Sequence, residues 1–149
     1  MDDFDWSNTE RGRDIGKAIK PFIAFYLGPE RGHTDEGHNR NWLWEPKHWI
    51  QLALLLKDFG YNFCVVGAEY DRSFWEKYVK KGVEEAGMTW IDLIGDLEIG
   101  ETFALLKEAA AFVSYQCGLG IVGHYLGVKT AMWWRPDGNS AHPTRLVSF

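Results

Sequence analysis

Residues 114–120 have the sequence SYQCGLG, between the apolar run AAAFV at 109–113 and the segment IVGHYLG at 121–127. The apolar run predicts a buried strand, and the segment after the glycines predicts a helix. A glycine-rich turn between a strand and a helix gathers backbone N–H groups and the positive end of a helix dipole at one point. Because glycine has no side chain, a phosphate can approach that backbone closely. The stretch therefore predicts a nucleotide or nucleotide-sugar site in an α/β fold.

Strands and helices are expected to alternate along most of the chain. Apolar runs predict strands over residues 22–27, 61–66, 90–93, 112–114 and 129–134. Segments with a helical spacing of apolar residues predict helices over residues 8–19, 46–59, 71–86, 100–110 and 121–126. This alternation is typical of a parallel sheet that is covered by helices on both faces. We therefore expect a Rossmann-like α/β fold with a long loop over residues 28–41 and an irregular tail after residue 138.

Composition limits the class of protein. The chain has 149 residues, of which 46% are hydrophobic and 25% are charged, enough for one globular domain with its own core. The net charge of −5 and the lack of a basic stripe argue against a nucleic-acid partner. Cys64 and Cys117 lie on separate predicted elements, as expected in a reducing compartment. The acidic start, MDDFD, is unlike a signal peptide, and no apolar run reaches the ~18 residues of a membrane span. These features predict a cytoplasmic protein.

Loops that follow parallel strands are expected to meet at one edge of the sheet, where such folds bind ligands. Arg40 ends the long loop, just before a predicted helix. A guanidinium at that place can hold a diphosphate through two hydrogen bonds, and the alternative is a solvated side chain. Glu69 follows a predicted strand directly. Its carboxylate can accept both hydroxyls of a ribose, or it can be a helix N-terminal acid that the dipole stabilises.

Two further groups of residues have structural alternatives to a chemical role. The long loop carries zinc- or iron-binding residue types at His33, Asp35, Glu36 and His38. Their spacing matches no helical ligand motif, so we expect a substrate-facing loop without a metal. Cys117 precedes a predicted helix, a position that tends to lower the pKa of a thiol. Its nearest possible base in sequence, His124, would lie roughly 10 Å away, so a small residue in a crowded turn is favoured over a nucleophile.

The order of these motifs resembles the C-terminal half of a GT-B glycosyltransferase, and most closely the lipopolysaccharide heptosyltransferases of glycosyltransferase family nine. A cation, one residue and a tryptophan precede that domain's first helix, as in RNW at residues 40–42. A strand ending in glycine and an acid follows, as in VVGAE at 65–69, and then a leucine-rich segment, as in DLIG at 92–95. The turn D-[ST]-G-x-x-H of that family aligns with QCGLGI at 116–121. The resemblance covers about residues 21–136.

The resemblance implies the fold of the GT-B C-terminal domain and a nucleoside-diphosphate sugar as donor, without a cofactor or a metal. Arg40 would hold the diphosphate during catalysis, and Glu69 would hold the ribose. The other donor contacts would come from the end of the second strand and from the glycine turn, at Gly67, Gln116, Cys117, Gly118 and Leu119. The arginine and the helix dipole would stabilise the leaving nucleoside diphosphate. The acceptor would be a glycan or a lipid-linked glycan.

The chain departs from the family pattern in two ways. Gln116 and Ile121 stand where the family's turn has Asp and His. The chain also lacks the family's N-terminal half, which normally carries the acceptor site and the general base. We therefore expect a polar leader or linker at residues 1–20 and a truncated nucleotide-sugar-binding domain at 21–149, which acts with a missing N-terminal domain or as a homodimer. The alternatives are a degenerate Rossmann-like binding or assembly module, and an enzyme similar to sugar-nucleotide epimerases or dinucleotide-dependent enzymes.

Overall fold

The computed structural model describes residues 9–28, 44–115, 117–133 and 146–148. The strands are β1 (Phe22–Tyr26), β2 (Asn62–Gly67), β3 (Ile91–Ile94), β4 (Ala111–Tyr115), β5 (Thr130–Trp133) and β6 (Leu146–Ser148). The helices are α1 (Glu10–Ile19), α2 (Pro46–Leu56, extended by a 3-10 turn at Lys57–Phe59), α3 (residues 69–85), α4 (Ile99–Glu108) and α5 (Gly118–Tyr125). Within α3, a 3-10 turn at Glu69–Asp71 leads into α-helix, and Trp75–Val79 form a π-helical turn.

The six strands form one sheet in the order β3-β2-β1-β4-β5-β6. The first five run parallel, and β6 pairs antiparallel with β5 at the edge. The predicted parallel sheet is confirmed, and the predicted irregular tail is wrong at residues 146–148. A strand of three residues is too short to show a periodic pattern in the sequence. Its conformation is fixed instead by pairing with β5. The chain leaves β1 in one direction for β2 and β3 and then returns beyond β1 to β4, so β1 and β4 flank the switch point where such sheets bind ligands.

The core has two layers, one on each face of the sheet. All five residues of β1 are buried, and they alternate between the layers. Phe25 faces α2 and α3, where the fully buried Trp49 meets it edge-on at 6.4 Å and Trp90 lies 4.5 Å away. Phe22 faces the layer that includes Leu105 and residues of α1 and α5. Burial of each such aromatic side chain stabilises the fold by ~2 kcal/mol or more. Because its residues contribute to both layers, β1 lies at the centre of the core.

Helix α1 packs tightly against α4 through glycine. A Cβ atom on Gly12 would overlap the backbone of Glu101, and one on Gly16 would come within 2.8 Å of the Cβ of Glu108. Arg11 donates a hydrogen bond to the carbonyl oxygen of Asp96 at 2.7 Å, and Lys20 pairs with Glu108. The division into a leader at residues 1–20 and a domain from residue 21 stays a prediction, but α1 lies in that leader and shares the packing of the domain.

Candidate nucleotide site

A cavity of about 320 Å³ opens at the carboxyl edge of the sheet, beside the switch point. The segments that follow β2 and β4 both line it, as the sequence predicted, together with the end of β1 and the start of α4. The lining residues are Tyr26, Gly67, Ala68, Tyr70, Asp71, Leu97, Ile99, Thr102, Cys117, Gly118 and Leu119. Its volume is at the lower end of the range for small-molecule sites, ~300–1,000 Å³.

Helix α5 begins at Gly118, three residues earlier than predicted, so Gly118 and Gly120 lie in its first turn instead of a preceding loop. A Cβ atom on Gly118 would have no atom of the described residues within 4 Å, whereas one on Gly120 would lie 2.5 Å from the hydroxyl oxygen of Ser114 and 3.1 Å from the sulfur of Met132. Gly120 therefore serves the packing of α5 on the sheet. Gly118 alone of the two leaves space for a ligand at the positive end of the helix dipole.

Cys117 caps α5 with its side chain, because its sulfur accepts a hydrogen bond from the N–H of Gly120 at 3.3 Å. Burial raises the pKa of the thiol, although the N–H groups of Gly120 and Leu119 and the hydroxyl of Ser114 act to lower it. The expectation of a lowered pKa at this position is therefore wrong, since desolvation of the thiolate exceeds the effect of the helix terminus. A raised pKa favours a structural thiol over a nucleophile.

Glu69 lies at the carboxyl edge, as predicted, but its side chain is held outside the cavity. It is 71% exposed, and its Oε1 lies 3.0 Å from Nε of Arg72. Arg72 also pairs with Asp92 at 3.2 Å and donates to the carbonyl oxygen of Ile94, so it links the ends of β2 and β3. Sequence reasoning missed Arg72, although an acid and a base three residues apart at a helix start form a recognisable signal. The predicted role of Glu69 in binding ribose stays a prediction.

Asp71 is the carboxylate that lines the cavity, and sequence reasoning missed it. Its side chain is buried, Oδ2 accepts the N–H of Ala68 at 2.8 Å, and Oδ1 accepts the hydroxyl of Tyr26 at 3.4 Å. Burial raises the pKa of Asp71, and these two hydrogen bonds oppose the rise. Burial and the neighbouring carboxyl raise the pKa of Tyr26 as well. A Cβ atom on Gly67 would lie 2.8 Å from Oδ2 of Asp71, so the glycine makes room for this carboxylate.

One wall of the cavity, formed by Tyr70, Leu97, Ile99 and Thr102, is apolar. Tyr70 and Ile99 line it while 59% and 57% exposed, and Leu97 lies beside them. The hydroxyl of Thr102 donates to the carbonyl oxygen of Glu98 at 3.0 Å, which leaves its methyl group to this wall. An apolar surface with an exposed aromatic ring suits the flat face of a base or a sugar.

Several predicted site residues lie outside the described residues. They are Arg40, Gln116 and the loop residues His33, Asp35, Glu36 and His38. Among the residues that the structure describes, no group of three or more His, Cys, Asp or Glu side chains is placed to hold a metal ion. The helices in this described part of the chain are all too short or too polar to cross a membrane.

The fold is similar to those of solved glycosyltransferases. A family 9 glycosyl transferase from Veillonella parvula has a TM-score of 0.64 at 16% identity, covering 85% of this chain and 34% of that one. The ADP-heptose lipopolysaccharide heptosyltransferase II of Escherichia coli has a TM-score of 0.59 at 20% identity, covering 83% and 37%. Heptosyltransferase WaaC of Escherichia coli, solved with ADP, has a TM-score of 0.60 at 20% identity, covering 84% and 38%. At these identities the similarity shows a shared fold.

Sequence comparison identifies the family. Lipooligosaccharide heptosyltransferase 2 of Haemophilus ducreyi is 27% identical over 101 residues, which are 67% of this chain and 27% of that protein. The chain thus spans only about a quarter to two fifths of the length of these relatives. The model of glycosyltransferase family 9 (heptosyltransferase) matches residues 3–129, well over half of the chain. The resemblance inferred from the sequence is confirmed, and the chain belongs to glycosyltransferase family 9.

Proposed function

We propose that this chain binds a nucleoside-diphosphate sugar as the donor half of a heptosyltransferase-like enzyme. One observation carries the proposal: the cavity between the end of β2 and the start of α5 lies at the carboxyl edge of the sheet, beside the switch point. Rossmann-like sheets bind their ligands at that place. Membership of glycosyltransferase family 9 supports a nucleotide-sugar as the ligand.

The diphosphate would lie at the start of α5, where Gly118 leaves the backbone open and the helix dipole favours negative charge. Arg40 would neutralise the rest of its charge, as the family resemblance implies. The ribose would lie beside the acids at the end of β2, and the base against Tyr70 and Ile99. Stabilisation of the leaving nucleoside diphosphate by a guanidinium and by backbone N–H groups needs no metal ion.

The acceptor site and the general base would lie on another polypeptide segment. The chain spans about a third of the solved family 9 structure from Veillonella parvula, and the part it matches forms one Rossmann-like unit. A separate N-terminal half or a second copy of the chain would supply the missing groups, and the acceptor would be a glycan or a lipid-linked glycan. The whole enzyme is expected to act in the cytoplasm.

Calorimetric titration of the 149-residue chain with ADP, GDP, UDP and CDP tests donor binding. We expect one diphosphate to bind, with the same affinity in EDTA, and to raise the melting temperature. Gly118→Glu should weaken this binding at least ~10-fold, because it places a negative charge where the diphosphate would lie. Gly118→Gln adds a side chain of the same size without the charge; as the matched control it should weaken binding less than Gly118→Glu, and the difference measures the effect of charge. Absence of binding to every diphosphate would contradict the proposal.

A binding or assembly module without turnover is the second candidate. Ile121 replaces the histidine of the family's turn and is 47% exposed, and Tyr125, one turn further along α5, is 83% exposed. Two exposed apolar residues on one helix face favour a contact with another protein surface. This candidate expects a stable dimer without transfer activity, and sedimentation as a monomer at all concentrations would remove its support.

A further inference from the structure

The connection between β3 and α4, residues 95–98, forms part of the apolar wall of the cavity and is called the wall segment below. Leu97 lies in it and Ile99 follows it directly, and both line the cavity. The chain turns at Gly95, whose φ of +74° is a conformation that glycine adopts without steric cost. Three of the four residues of the wall segment are exposed. Because burial holds so little of this segment, its position depends on hydrogen bonds.

Two arginines on separate helices donate hydrogen bonds to the backbone of this region. Nη1 of Arg11, on α1, donates to the carbonyl oxygen of Asp96 at 2.7 Å. Nη2 of Arg72, on α3, donates to the carbonyl oxygen of Ile94, the residue directly before the wall segment. A guanidinium has five donors in a rigid plane and can hold several acceptors at once, as Arg72 does by also bonding to Asp92 at 3.2 Å. Helices α1 and α3 thus both fix the backbone that carries the apolar wall.

We infer that Arg11 and Arg72 are positioning residues that hold the apolar wall in place for the nucleoside part of the donor. The inference rests on the proposed function, which places the base against Tyr70 and Ile99 and the diphosphate at Gly118. Neither arginine is among the residues that line the cavity, so both act through the backbone of the wall segment. A wall that is already fixed lowers the entropy that is lost when the nucleoside binds. The diphosphate would gain nothing from it.

Surface ion pairs alone are the simpler role for these arginines. Arg11 is 59% exposed and lies 3.6 Å from Glu101, and Arg72 lies 3.0 Å from Glu69. Exposed ion pairs contribute little to stability, and their loss would affect a nucleotide and a free diphosphate alike. Hydrogen bonds to backbone carbonyls fix the wall segment, so their loss would affect only a ligand that touches the wall. The two roles therefore differ in a measurable ratio of affinities.

The test compares a nucleoside diphosphate with inorganic pyrophosphate on the 149-residue chain. The nucleotide is whichever of ADP, GDP, UDP and CDP binds most tightly. Arg72→Met should weaken nucleotide binding ~10-fold and Arg11→Met ~3-fold, because Arg11 is the more exposed of the two. Pyrophosphate affinity should change by less than ~2-fold in both. Arg13→Met on α1 and Lys81→Met on α3 remove a charge from exposed positions of the same helices, and as matched controls they should leave both affinities within ~2-fold.

The double variant tests whether the two arginines act on the same segment. We expect the loss of nucleotide affinity to be smaller than the product of the two single losses, because a wall segment released by one substitution has less order left to lose. A loss equal to the product would show that the arginines act independently, and would overturn the inference.

Hydrogen exchange measures the wall segment without a ligand. The N–H of Gly95 donates to the carbonyl oxygen of Gly67 at 2.9 Å, and the N–H of Glu98 donates to Oε2 of Glu101 at 2.9 Å. Each methionine variant should speed exchange of these two amides ~3- to 10-fold more than exchange of the Phe25 amide in β1, which reports global opening. If Arg72→Met does not fold, the exposed position of Arg11 leaves Arg11→Met to decide.

Three further results would overturn the inference. They are unchanged nucleotide affinity in the variants, equal losses of nucleotide and pyrophosphate affinity, and unchanged exchange at both amides of the wall segment. Failure of every nucleoside diphosphate and of pyrophosphate to bind the wild-type chain would overturn the proposed function, and the inference with it, whatever the amides show.

Discussion

Gly12 of α1 and Gly118 of α5 are both helical glycines, yet a side chain added to each would meet opposite surroundings. A Cβ atom on Gly12 would overlap the backbone of Glu101, whereas in the part of the chain that the structure describes one on Gly118 would meet nothing within 4 Å. Gly120, only two residues from Gly118, belongs with Gly12, because a Cβ atom there would press on Ser114 and Met132. Glycine thus serves close packing at two of these positions and access to a cavity at the third, and its neighbours decide which.

Of the three glycine substitutions, Gly12→Ala is expected to lower the free energy of unfolding the most. The added methyl group meets the backbone of Glu101, which cannot move aside as a flexible side chain can. We expect unfolding free energy to fall by ~3 kcal/mol or more, the upper end of the range for overpacking. Urea denaturation followed by circular dichroism measures the change. Asp14→Ala, on the exposed face of α1, is the control and should stay within ~0.5 kcal/mol of wild type. A mild effect of Gly12→Ala would show that α1 does not dock closely on α4.

Gly120→Ala should have an intermediate effect. Its methyl group would lie 2.5 Å from the Ser114 hydroxyl and 3.1 Å from the Met132 sulfur, and both are side-chain atoms that can partly adjust. We expect a loss of ~1–3 kcal/mol in unfolding free energy, from the same denaturation curves. Retention of full stability would mean that the start of α5 has room above β4, and would weaken the distinction between Gly120 and Gly118.

Gly118→Ala should have the smallest effect on stability, and unlike the other two substitutions it should not destabilise the fold. The position is helical and no described residue obstructs it, so alanine is expected to leave unfolding free energy unchanged or to raise it by up to ~1 kcal/mol. Nucleotide affinity should nevertheless fall, because the methyl group lies where the diphosphate would approach. Titration with the best-binding diphosphate checks this. A variant that is more stable and binds as tightly as wild type would separate the open position from the ligand.

Local patterns in the sequence were sufficient to predict most helices and strands. The edge strand and the close glycine contacts depend on long-range packing, which local patterns do not indicate. The alternation of apolar runs and helical segments predicts five strands in a parallel sheet. The pairing of residues 146–148 with β5 could not be predicted, because no local signal marks so short an edge strand. The tight contact of Gly12 with Glu101 joins residues far apart in the chain, and nothing near Gly12 in the sequence indicates it.

The candidate site shows the same division. The place of the glycine turn at the carboxyl edge beside the cavity followed from a strand, glycines and a helix in succession, although the helix begins at Gly118, three residues earlier than predicted. The direction of the Glu69 side chain depends on Arg72, which in turn bonds to Asp92 on a neighbouring strand. Asp71, in the turn after β2, accepts a hydrogen bond from Tyr26 at the end of β1. The directions of side chains at the site thus depend on contacts between strands of the assembled sheet. The sequence predicted where the backbone of the site lies, but not which acidic side chain lines the cavity.

The central position of β1 has a consequence for how the molecule opens. All five residues of this strand are buried, and it is hydrogen-bonded to β2 on one side and to β4 on the other. Its amide hydrogens therefore exchange with solvent only when the whole sheet comes apart, so their exchange rates report global opening instead of local fluctuation. A ligand that binds only the folded state at the carboxyl edge would slow exchange at these same amides by the stabilisation it gives the whole fold, RT ln(1 + [L]/Kd), although Tyr26 is the residue of the strand that lines the cavity.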